Sequence, residues 1–293
     1  MYYIVYSFLW LISIIPIKIL YVLADGFYIL AYYVFKYRKD VVQKNLLIAF
    51  PEKTSQERTA IAKQFYRNFI DTVFESIKFI SISKKKIEER SSGDFRLIHQ
   101  LEAQGKNIQL MGGHQFNWEF ANILYSINLK IPFIGIYLPF SNKNIDKIFF
   151  NFRKKYGIIL IAAADFKNKK REDAFTKQHA LGMVADQNPG DPSNAYWMNF
   201  FGKPAPFITG PARGAVKNGM AVVTVGFKKI KRGHYHFTNK LITENASLFT
   251  SEQLTLLYKN ELERIIREDP PNYLWSHRRW KHEWKPAYGD IIK

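Results

Sequence analysis

The chain has 293 residues, which fits one large α/β domain with an appendage as well as two domains. Hydrophobic residues make up 47% and charged residues 23%, a composition that excludes disordered and low-complexity proteins. The formal net charge of +18 predicts a polyanionic partner, namely nucleic acid, an anionic lipid surface or an acidic protein. The absence of cysteine excludes disulfides, cysteine-zinc sites, iron–sulfur clusters and thiol nucleophiles.

The first 35 residues are apolar and carry only two charges, Lys18 and Asp25. They predict two helices separated at Pro16, each slightly short for a bilayer core of about 30 Å. Because Asp25 would be costly at the bilayer centre, we expect a helical pair half sunk in the membrane interface rather than a clean span. The alternative is a buried helical hairpin of a soluble protein. A signal peptide is not expected, because the start lacks a basic region and a cleavage site.

Basic residues follow the apolar segment at once, including Lys36 and Arg38. They predict that the rest of the chain lies on the cytoplasmic side of the membrane, because positive flanking charge stays inside. We therefore divide the chain into N-terminal membrane-associated helices at 1–40 and one larger domain at 41–293.

From residue 55 onward, apolar residues follow the spacing of alternating helices and strands. The segment 55–80 predicts an amphipathic helix, in which apolar residues recur near a 3.6-residue period. Further helices are predicted at 117–127, 144–155, 171–178, 209–218 and 251–268, and strands at 107–111, 131–137, 158–163, 181–185, 220–227 and 235–242. The alternation predicts an α/β fold with a central, mostly parallel sheet flanked by helices, preceded by the N-terminal membrane-associated apolar helices.

The segment from Met111 to Glu119 carries the clearest chemical signal. A predicted strand ends at Met111, two glycines allow a sharp turn, and His114 then stands where open α/β sheets bind ligands. Asn117 is the expected N-cap of the next helix, with Glu119 in its first turn. A carboxylate near a histidine can hold one ring nitrogen while the other accepts a proton. The alternative is that both residues have structural roles, His114 as a buried core histidine and Glu119 as a helix-capping residue.

The G-H-x-x-N-W-E pattern around His114 resembles the signature of lysophospholipid-type acyltransferases, and more closely the late acyltransferases of lipid A biosynthesis, which carry an H-x4-D/E dyad. Other stretches are similar to that family in order and spacing: the basic 151–157, the D-Q at 186–187, the F-F-G-x-P-A at 200–205 and the W-x-H-R-R at 275–279. The resemblance covers nearly the whole chain. One departure is Gln115-Phe116, where many members have Phe-Gly.

The resemblance implies an enzyme that moves a fatty acyl chain from an acyl carrier protein to a hydroxyl of a lipid A precursor, without metal or cofactor. By this resemblance His114 would be the general base and Glu119 its orienting partner. The nucleophile would be the hydroxyl of the substrate, so no nucleophilic side chain is needed. Arg153 is the first candidate oxyanion donor, and the alternative is that it belongs to a solvated helix face.

Three further residues are candidate substrate contacts. Asp186 and Gln187 end a predicted strand at the same sheet edge as His114, where they either shape the site or form a simple turn. Arg213 either meets an acceptor phosphate or lies on a helix face. The expected partners are therefore an acidic acyl carrier protein, a phosphorylated lipid A precursor and the membrane surface, and the expected location is the cytoplasmic face of the cell inner membrane.

Rival interpretations differ in the acceptor or in the class of protein. An acyltransferase for an aminolipid or a mannolipid would use the same chemistry. A basic nucleic-acid-binding protein would explain the charge, but the chain has no motif for nucleic acid, and the apolar start would be unexplained. An inactive membrane scaffold is the third alternative, and the retained His114 and Glu119 argue against it.

Overall fold

The computed structural model describes residues 1–167 and 172–293. The helices are α1 Tyr2–Ile14, α2 Ile17–Ile29, α3 Lys39–Ala49, α4 Ser55–Lys78, α5 Lys84–Glu88, α6 Arg96–Ala103, α7 Trp118–Asn128, α8 Lys143–Lys155, α9 Ala163–Lys167, α10 Gly210–Lys217 and α11 Ser251–Glu268. The strands are β1 Ser91–Ser92, β2 Ile108–Gly112, β3 Phe133–Tyr137, β4 Ile159–Ala162, β5 Ala180–Val184, β6 Ala195–Phe200, β7 Lys203–Ile208, β8 Ala221–Lys231 and β9 His234–Thr243.

In the described part of the chain the strands form a seven-stranded sheet and a separate two-stranded hairpin of β6 and β7. The large sheet has the order β1-β9-β8-β2-β5-β3-β4, so β2 lies in its middle. Every neighbouring pair in it is parallel except β8 and β9, which form an antiparallel pair. The predicted α/β fold with a mostly parallel sheet is therefore confirmed.

Helices cover both faces of this sheet, as the alternating side chains of β2 show. Ile108 and Leu110 belong to a buried cluster that includes residues of α7 and α8. Met111 points to the opposite face and belongs to the second cluster, which includes residues of α11. A strand buried on both faces reads as a continuous apolar run, which is why β2 was predicted from its sequence.

The helix ends follow from local capping. The hydroxyl of Thr250 accepts a hydrogen bond from the backbone N–H of Gln253, and the side-chain oxygen of Gln253 accepts one from the backbone N–H of Thr250. Helix α11 ends before Pro270. The same reciprocal cap joins Thr54 and Glu57 at the start of α4. These caps explain why the predicted starts of both helices agree with the structure.

Several elements of the secondary structure were not predicted, among them α3, α5 and α6, and one predicted helix is wrong. The helix expected at 171–178 is wrong over its described part, because only Glu172–Phe175 forms a short 3-10 turn; Arg171 lies outside the described residues. The hairpin of β6 and β7 was missed. Its tight turn places Phe201 and Gly202 at positive φ, and the buried Phe200 and Phe201 pack in the core.

The predicted break at Pro16 separates α1 from α2. Leu20 and Ala24 of α2 are buried in a small cluster with Phe74 of α4, so α2 packs on the α/β domain. The opposite faces of both helices expose large apolar side chains: Tyr3, Ile4, Phe8, Leu11, Ile19, Val22 and Phe27. Among the described residues, Ile17–Val34 is the one helical stretch long and apolar enough to cross a membrane.

The charge within α2 has a partner in the α/β domain. Asp25 forms an ion pair with Arg232, which follows β8, at 2.8 Å. Arg232 also pairs with Asp71 of α4 at 2.6 Å. The sequence has three basic stretches that would suit anionic partners, at 84–86, 167–171 and 228–232. The stretch 228–232 is partly used inside the protein, 84–86 is exposed, and 167–171 falls largely outside the described residues.

Candidate active site

The register of the central strands brings His114 and Asp186 together. Gly112, the last residue of β2, is the partner of Val184, the last residue of β5. His114 and Asp186 each follow two residues later, so both side chains stand at the carboxyl edge of the sheet. Gly113 is required here by close approach, because a Cβ at this position would lie 2.5 Å from Leu262 and 3.5 Å from the Asp186 carboxylate.

His114 is held by both oxygens of Asp186. Its backbone N–H donates to Oδ2 at 2.9 Å, and its ring Nδ1 lies 2.6 Å from Oδ1. Since an ionised carboxylate only accepts, Nδ1 carries the proton. The side-chain amide of Gln187 donates to the ring Nε2 at 3.0 Å, so Nε2 presents a lone pair. This is the tautomer that a general base acting through Nε2 requires.

The electrostatics keep Asp186 ionised. Burial raises the pKa of the Asp186 carboxyl, but the electrostatic attraction between Asp186 and His114 and the hydrogen bonds from His114 and Tyr273 outweigh burial and lower that pKa to about 2. The Asp186 side chain is 1% exposed, whereas the His114 side chain is 21% exposed. The carboxylate is thus sealed behind a ring that solvent or a substrate can still reach.

Glu119 is not the partner of His114 that the H-x4-E spacing predicted. In the described residues its carboxylate pairs instead with Arg153: Nε donates to Oε2 at 3.0 Å, and Nη2 donates to Oε1. Both side chains are buried, and the bidentate pair joins the first turn of α7 to the end of α8. Arg153 is therefore bound to a carboxylate and is not the exposed helix-face cation considered above.

The loop after β2 is closed by the C-terminal part of the chain. The backbone N–H of Leu274 donates to the carbonyl of His114 at 3.0 Å, and the N–H of Phe116 donates to the carbonyl of Asn272 at 2.9 Å. The N–H of Gln115 is used within the turn, on the carbonyl of Gly113. The backbone N–H groups of residues 114–116 are therefore already occupied and do not form an oxyanion hole in this state.

The C-terminal segment is in turn fixed by α3 and the residue before it. The side-chain amide of Asn45 donates to the carbonyls of Trp275 and His277, both at 2.7 Å. Arg38 donates to the carbonyl of Ser276 at 3.0 Å. The W-x-H-R-R stretch is therefore fixed to the N-terminal part of the chain through its own backbone carbonyls.

His277 and Arg279 lie on the inner side of the same segment. Burial is the main cause that lowers the pKa of His277, to about 4, and its Nε2 accepts the backbone N–H of Asn188 at 3.3 Å. Arg279 is 1% exposed, donates to the Asn188 side chain and stacks over the rings of Phe200 and Phe207. Both residues brace the turn after Gln187. From the sequence, His277 and Arg279 fit either a role in fixing the C-terminal segment, which the pattern favours slightly, or contact with a phosphate.

The departure at Gln115-Phe116 has a local explanation. The Gln115 side chain pairs with the backbone N–H and carbonyl of Phe227 in β8, at 3.3 Å each. The ring of Phe116 is buried against Phe65 and Trp118. A glutamine and a phenylalanine thus fasten the His114 loop to the neighbouring strand and to α4.

Arg213 is not brought to His114. It is exposed on α10, where its Nε donates to the hydroxyl of Tyr196 at 3.1 Å. The side chain of Gln109, the second residue of β2, donates to the carbonyl of Pro211 in the same helix. The start of α10 thus lies beside the start of β2, whereas His114 follows its end.

Two cavities flank the sheet. A narrow one of about 50 Å³ adjoins the site and is lined by Gly113, Trp118, Val184 and Phe227, among others. A larger one of about 330 Å³ lies on the opposite face, lined by Gln109, Leu181, Met183 and α10. Within the described residues, no three histidine, aspartate or glutamate side chains are grouped as a metal ion would need.

The open α/β sheet carries at its carboxyl edge a histidine held by a buried carboxylate, an arrangement that can accept a proton from a substrate. The chain matches the family model of the bacterial lipid A biosynthesis acyltransferases over residues 1–282, so it belongs to that family and is an acyltransferase. The lipid A biosynthesis lauroyltransferase of Escherichia coli K12 is 24% identical over 275 residues, covering 93% of this chain and 89% of that protein.

Two further relatives are similar over most of their length. The Escherichia coli K12 lipid A biosynthesis palmitoleoyltransferase is 22% identical over 279 residues, covering 93% of this chain and 88% of its own length. A lipid A biosynthesis acyltransferase of Haemophilus influenzae is 23% identical over 248 residues, covering 83% of this chain and 78% of its own length.

Proposed function

We propose that the enzyme transfers a fatty acyl chain from an acyl carrier protein thioester to a hydroxyl of a lipid A precursor, a secondary acylation. The observation that carries this proposal is the His114–Asp186 pair, with the Nε2 lone pair directed away from the carboxylate. Family membership and the names of the relatives support the lipid A acceptor.

In the proposed reaction His114 acts as the general base. Nε2 accepts the proton of the acceptor hydroxyl while that oxygen forms a bond to the thioester carbonyl carbon. The tetrahedral intermediate then collapses, the carbon–sulfur bond breaks, and the leaving thiolate takes the proton back from the imidazolium. The products are an ester and a free thiol, so no external oxidant or reductant is needed.

Asp186 replaces Glu119 as the proposed orienting carboxylate. It fixes the Nδ1–H tautomer through one oxygen and the loop backbone through the other. Its ionised form stabilises the imidazolium that develops during the reaction. Glu119 and Arg153 are proposed to hold α7 against α8, so that the floor of the site keeps its shape.

Gln187 is proposed to serve first as a cap and then as a donor. Its amide occupies Nε2, the position that the acceptor hydroxyl must take. When the hydroxyl displaces it, an N–H of Gln187 becomes free to donate to the thioester carbonyl oxygen as negative charge develops. The narrow apolar cavity beside Trp118 would receive the first methylenes of the acyl chain.

The basic surface supports anionic substrates. Acyl carrier proteins and lipid A phosphates are both anionic, and a protein of net charge +18 attracts them at long range. Arg278 is exposed, and its backbone carbonyl accepts a hydrogen bond from Asn188 one residue beyond Gln187. We propose Arg278, rather than Arg213, as a phosphate contact at the rim of the site.

We propose that the enzyme works at the cytoplasmic face of the cell inner membrane, with residues 1–40 as the anchor and 41–293 as the acyltransferase domain. Tyr21 and Asp25 of α2 bond to the α/β domain while its outer face stays apolar. These contacts support a helix pair lying in the interface. Membranes washed with concentrated salt should retain the enzyme, whereas a protein bound by charge alone would be released.

The deciding experiment is an acyl-transfer assay in detergent, read by mass spectrometry. The donors are acyl carrier proteins loaded with chains of about 12 to 16 carbons, and the acceptor is a phosphorylated lipid A precursor. Wild type should add one acyl mass, and His114→Ala should lose roughly 10²–10⁴-fold in kcat. His99→Ala is the matched control, because His99 lies on α6 and contacts Glu102.

The possible results lead to different conclusions. Full activity in folded His114→Ala would end the general-base proposal. No transfer by wild type to the lipid A precursor, with transfer to an aminolipid or mannolipid in a total lipid extract, would reassign the acceptor. Equal transfer from another thioester without the carrier protein would remove the acyl carrier protein as the required donor.

A further inference from the structure

One buried carboxylate joins the N-terminal helices to the helix that starts beside His114. Glu75 of α4 is 2% exposed and accepts three hydrogen bonds from three different segments. Tyr21 of α2 donates to Oε1 at 2.8 Å, and Tyr235 of β9 donates to Oε2 at 2.6 Å. The amide of Asn117 donates to Oε2 at 3.0 Å. None of these bonds is part of the reaction proposed above.

Asn117 has a second task on its other atom. Its Oδ1 accepts the backbone N–H groups of Glu119 and Phe120, at 3.0 and 3.1 Å, and so forms the N-cap of α7. The amide group is therefore fixed at both ends: by Glu75 on the nitrogen and by the helix on the oxygen. Its orientation sets where α7 begins, four residues after His114.

The start of α7 is in contact with the catalytic ring. Trp118, the first residue of α7, packs edge-on against the His114 ring with a centroid distance of 5.6 Å. Glu119, the second residue, holds Arg153. A displaced N-cap would therefore move both the wall of the site and the buried ion pair.

We propose that Glu75 is a positioning residue that makes the geometry of the His114 site depend on the seating of helix α2 through the chain Tyr21–Glu75–Asn117. A buried carboxylate needs all its partners, because an unmade hydrogen bond in a low-dielectric interior is costly. Loss of the Tyr21 hydroxyl therefore lets Glu75 and the Asn117 amide reorient. An N-terminal helix pair that rests in a membrane interface would thus be linked to catalysis through one carboxylate.

The test uses variants that remove single hydrogen bonds and keep the fold. Tyr21→Phe removes the donor from α2. Asn117→Ser keeps a capping oxygen for α7 but removes the donor to Glu75. Tyr66→Phe is the matched control, because Tyr66 is also fully buried and its hydroxyl also bonds to the N-terminal segment, at the carbonyl of Tyr37, away from Glu75.

Two readouts separate positioning from simple stability. We expect Tyr21→Phe and Asn117→Ser each to lower kcat about 10-fold with little change in KM, because a small misplacement of catalytic groups mainly affects the transition state. We also expect faster amide hydrogen exchange in a peptide covering 114–121, with unchanged exchange in β5. Tyr66→Phe should leave kcat and the exchange of 114–121 near wild type.

The double variant Tyr21→Phe/Asn117→Ser sharpens the test. Because both changes act through Glu75, their combined effect on kcat should be clearly smaller than the product of the single effects. A multiplicative loss, or a Tyr21→Phe protein whose kcat and 114–121 exchange equal wild type, would overturn the inference. The kcat arm rests on the proposed function, whereas the exchange arm does not. An inactive wild-type protein would therefore contradict the proposed function. Unchanged hydrogen exchange in variants of an active wild type would contradict the proposed link through Tyr21, Glu75 and Asn117.

Discussion

Two carboxylates near the start of α7 each hold a nitrogen-bearing side chain, and the two pairs have opposite designs. Asp186 and His114 form a pair whose carboxylate is sealed while the ring stays 21% exposed. Glu119 and Arg153 form a pair that is sealed on both sides, with side chains 5% and 10% exposed. The difference teaches that a pair can serve proton transfer only where one member presents an atom that a substrate can reach. The guanidinium of Arg153 is bound to Glu119 through Nε and Nη2. Nε2 of His114 is bonded instead to the side-chain amide of Gln187, which an acceptor hydroxyl would displace in the proposed reaction.

The largest expected effect on kcat comes from a change in the His114–Asp186 pair. Asp186→Asn should lower kcat roughly 10³–10⁴-fold with little change in KM, because an amide does not hold the Nδ1–H tautomer or stabilise an imidazolium. Steady-state kinetics on the folded variant checks this, with thermal unfolding as the control for folding. A loss of less than 10-fold would remove Asp186 from the mechanism.

A change in the buried Glu119–Arg153 pair should mainly lower the free energy of unfolding. Glu119→Gln leaves the Arg153 charge buried without a counterion, so we expect the free energy of unfolding to fall by about 3–5 kcal/mol. Replacing both residues, as in Glu119→Gln/Arg153→Met, should recover most of that loss. Denaturant unfolding measures both. A Glu119→Gln protein of wild-type stability with a kcat as low as that of Asp186→Asn would reverse the roles assigned to the two carboxylates.

His277, which lies near His114 and Asp186, should make the stability of the protein depend on pH. The folded pKa of His277, about 4, lies below the usual value near 6.5, so its contribution to stability is full above pH 6.5. It is lost as pH falls through 4. Allowing for partial exposure, we expect wild type to lose roughly 1–2 kcal/mol more than His277→Asn between pH 7.5 and 4. Parallel stability curves for the two proteins would contradict a buried neutral imidazole.

The smallest effect concerns the two exposed arginines. Arg278→Ala should raise KM for a phosphorylated acceptor several-fold, by about 1 kcal/mol, with kcat nearly unchanged. Arg213→Ala is its control and should leave both constants near wild type, since Arg213 bonds to Tyr196 near the opposite edge of the sheet. Equal effects of the two substitutions would assign the charge requirement to the whole surface rather than to the rim.

The sequence predicted the parts of the site that are local in the chain. His114 at a strand end, Asn117 as N-cap and Glu119 in the first helical turn are all confirmed by the structure. The partner of His114 was missed because it depends on strand order. In the sheet β5 lies between β2 and β3, although β2 and β3 follow one another in the sequence. This strand order places Asp186 beside a histidine that stands 72 positions earlier in the chain.

The same limit applies to the N-terminal helices. Their apolar composition and the break at Pro16 are visible in the chain, because both are local properties. The pairing of Asp25 with Arg232 joins residues 207 positions apart, so the charge looked like an obstacle to membrane insertion until its partner was known. Long-range polar contacts leave no periodic trace in a sequence, and only the folded chain reveals them.

The bracing of the His114 loop by residues 272–274 has a consequence for the order in which the enzyme is made. A ribosome releases β2 and its histidine long before it releases Asn272 and Leu274, whose backbone groups close the loop. During synthesis the loop therefore waits, open, for more than half of the chain to follow. The apolar helices α1 and α2 leave the ribosome before this loop can close, so they are able to meet a membrane while His114 still lacks its final geometry.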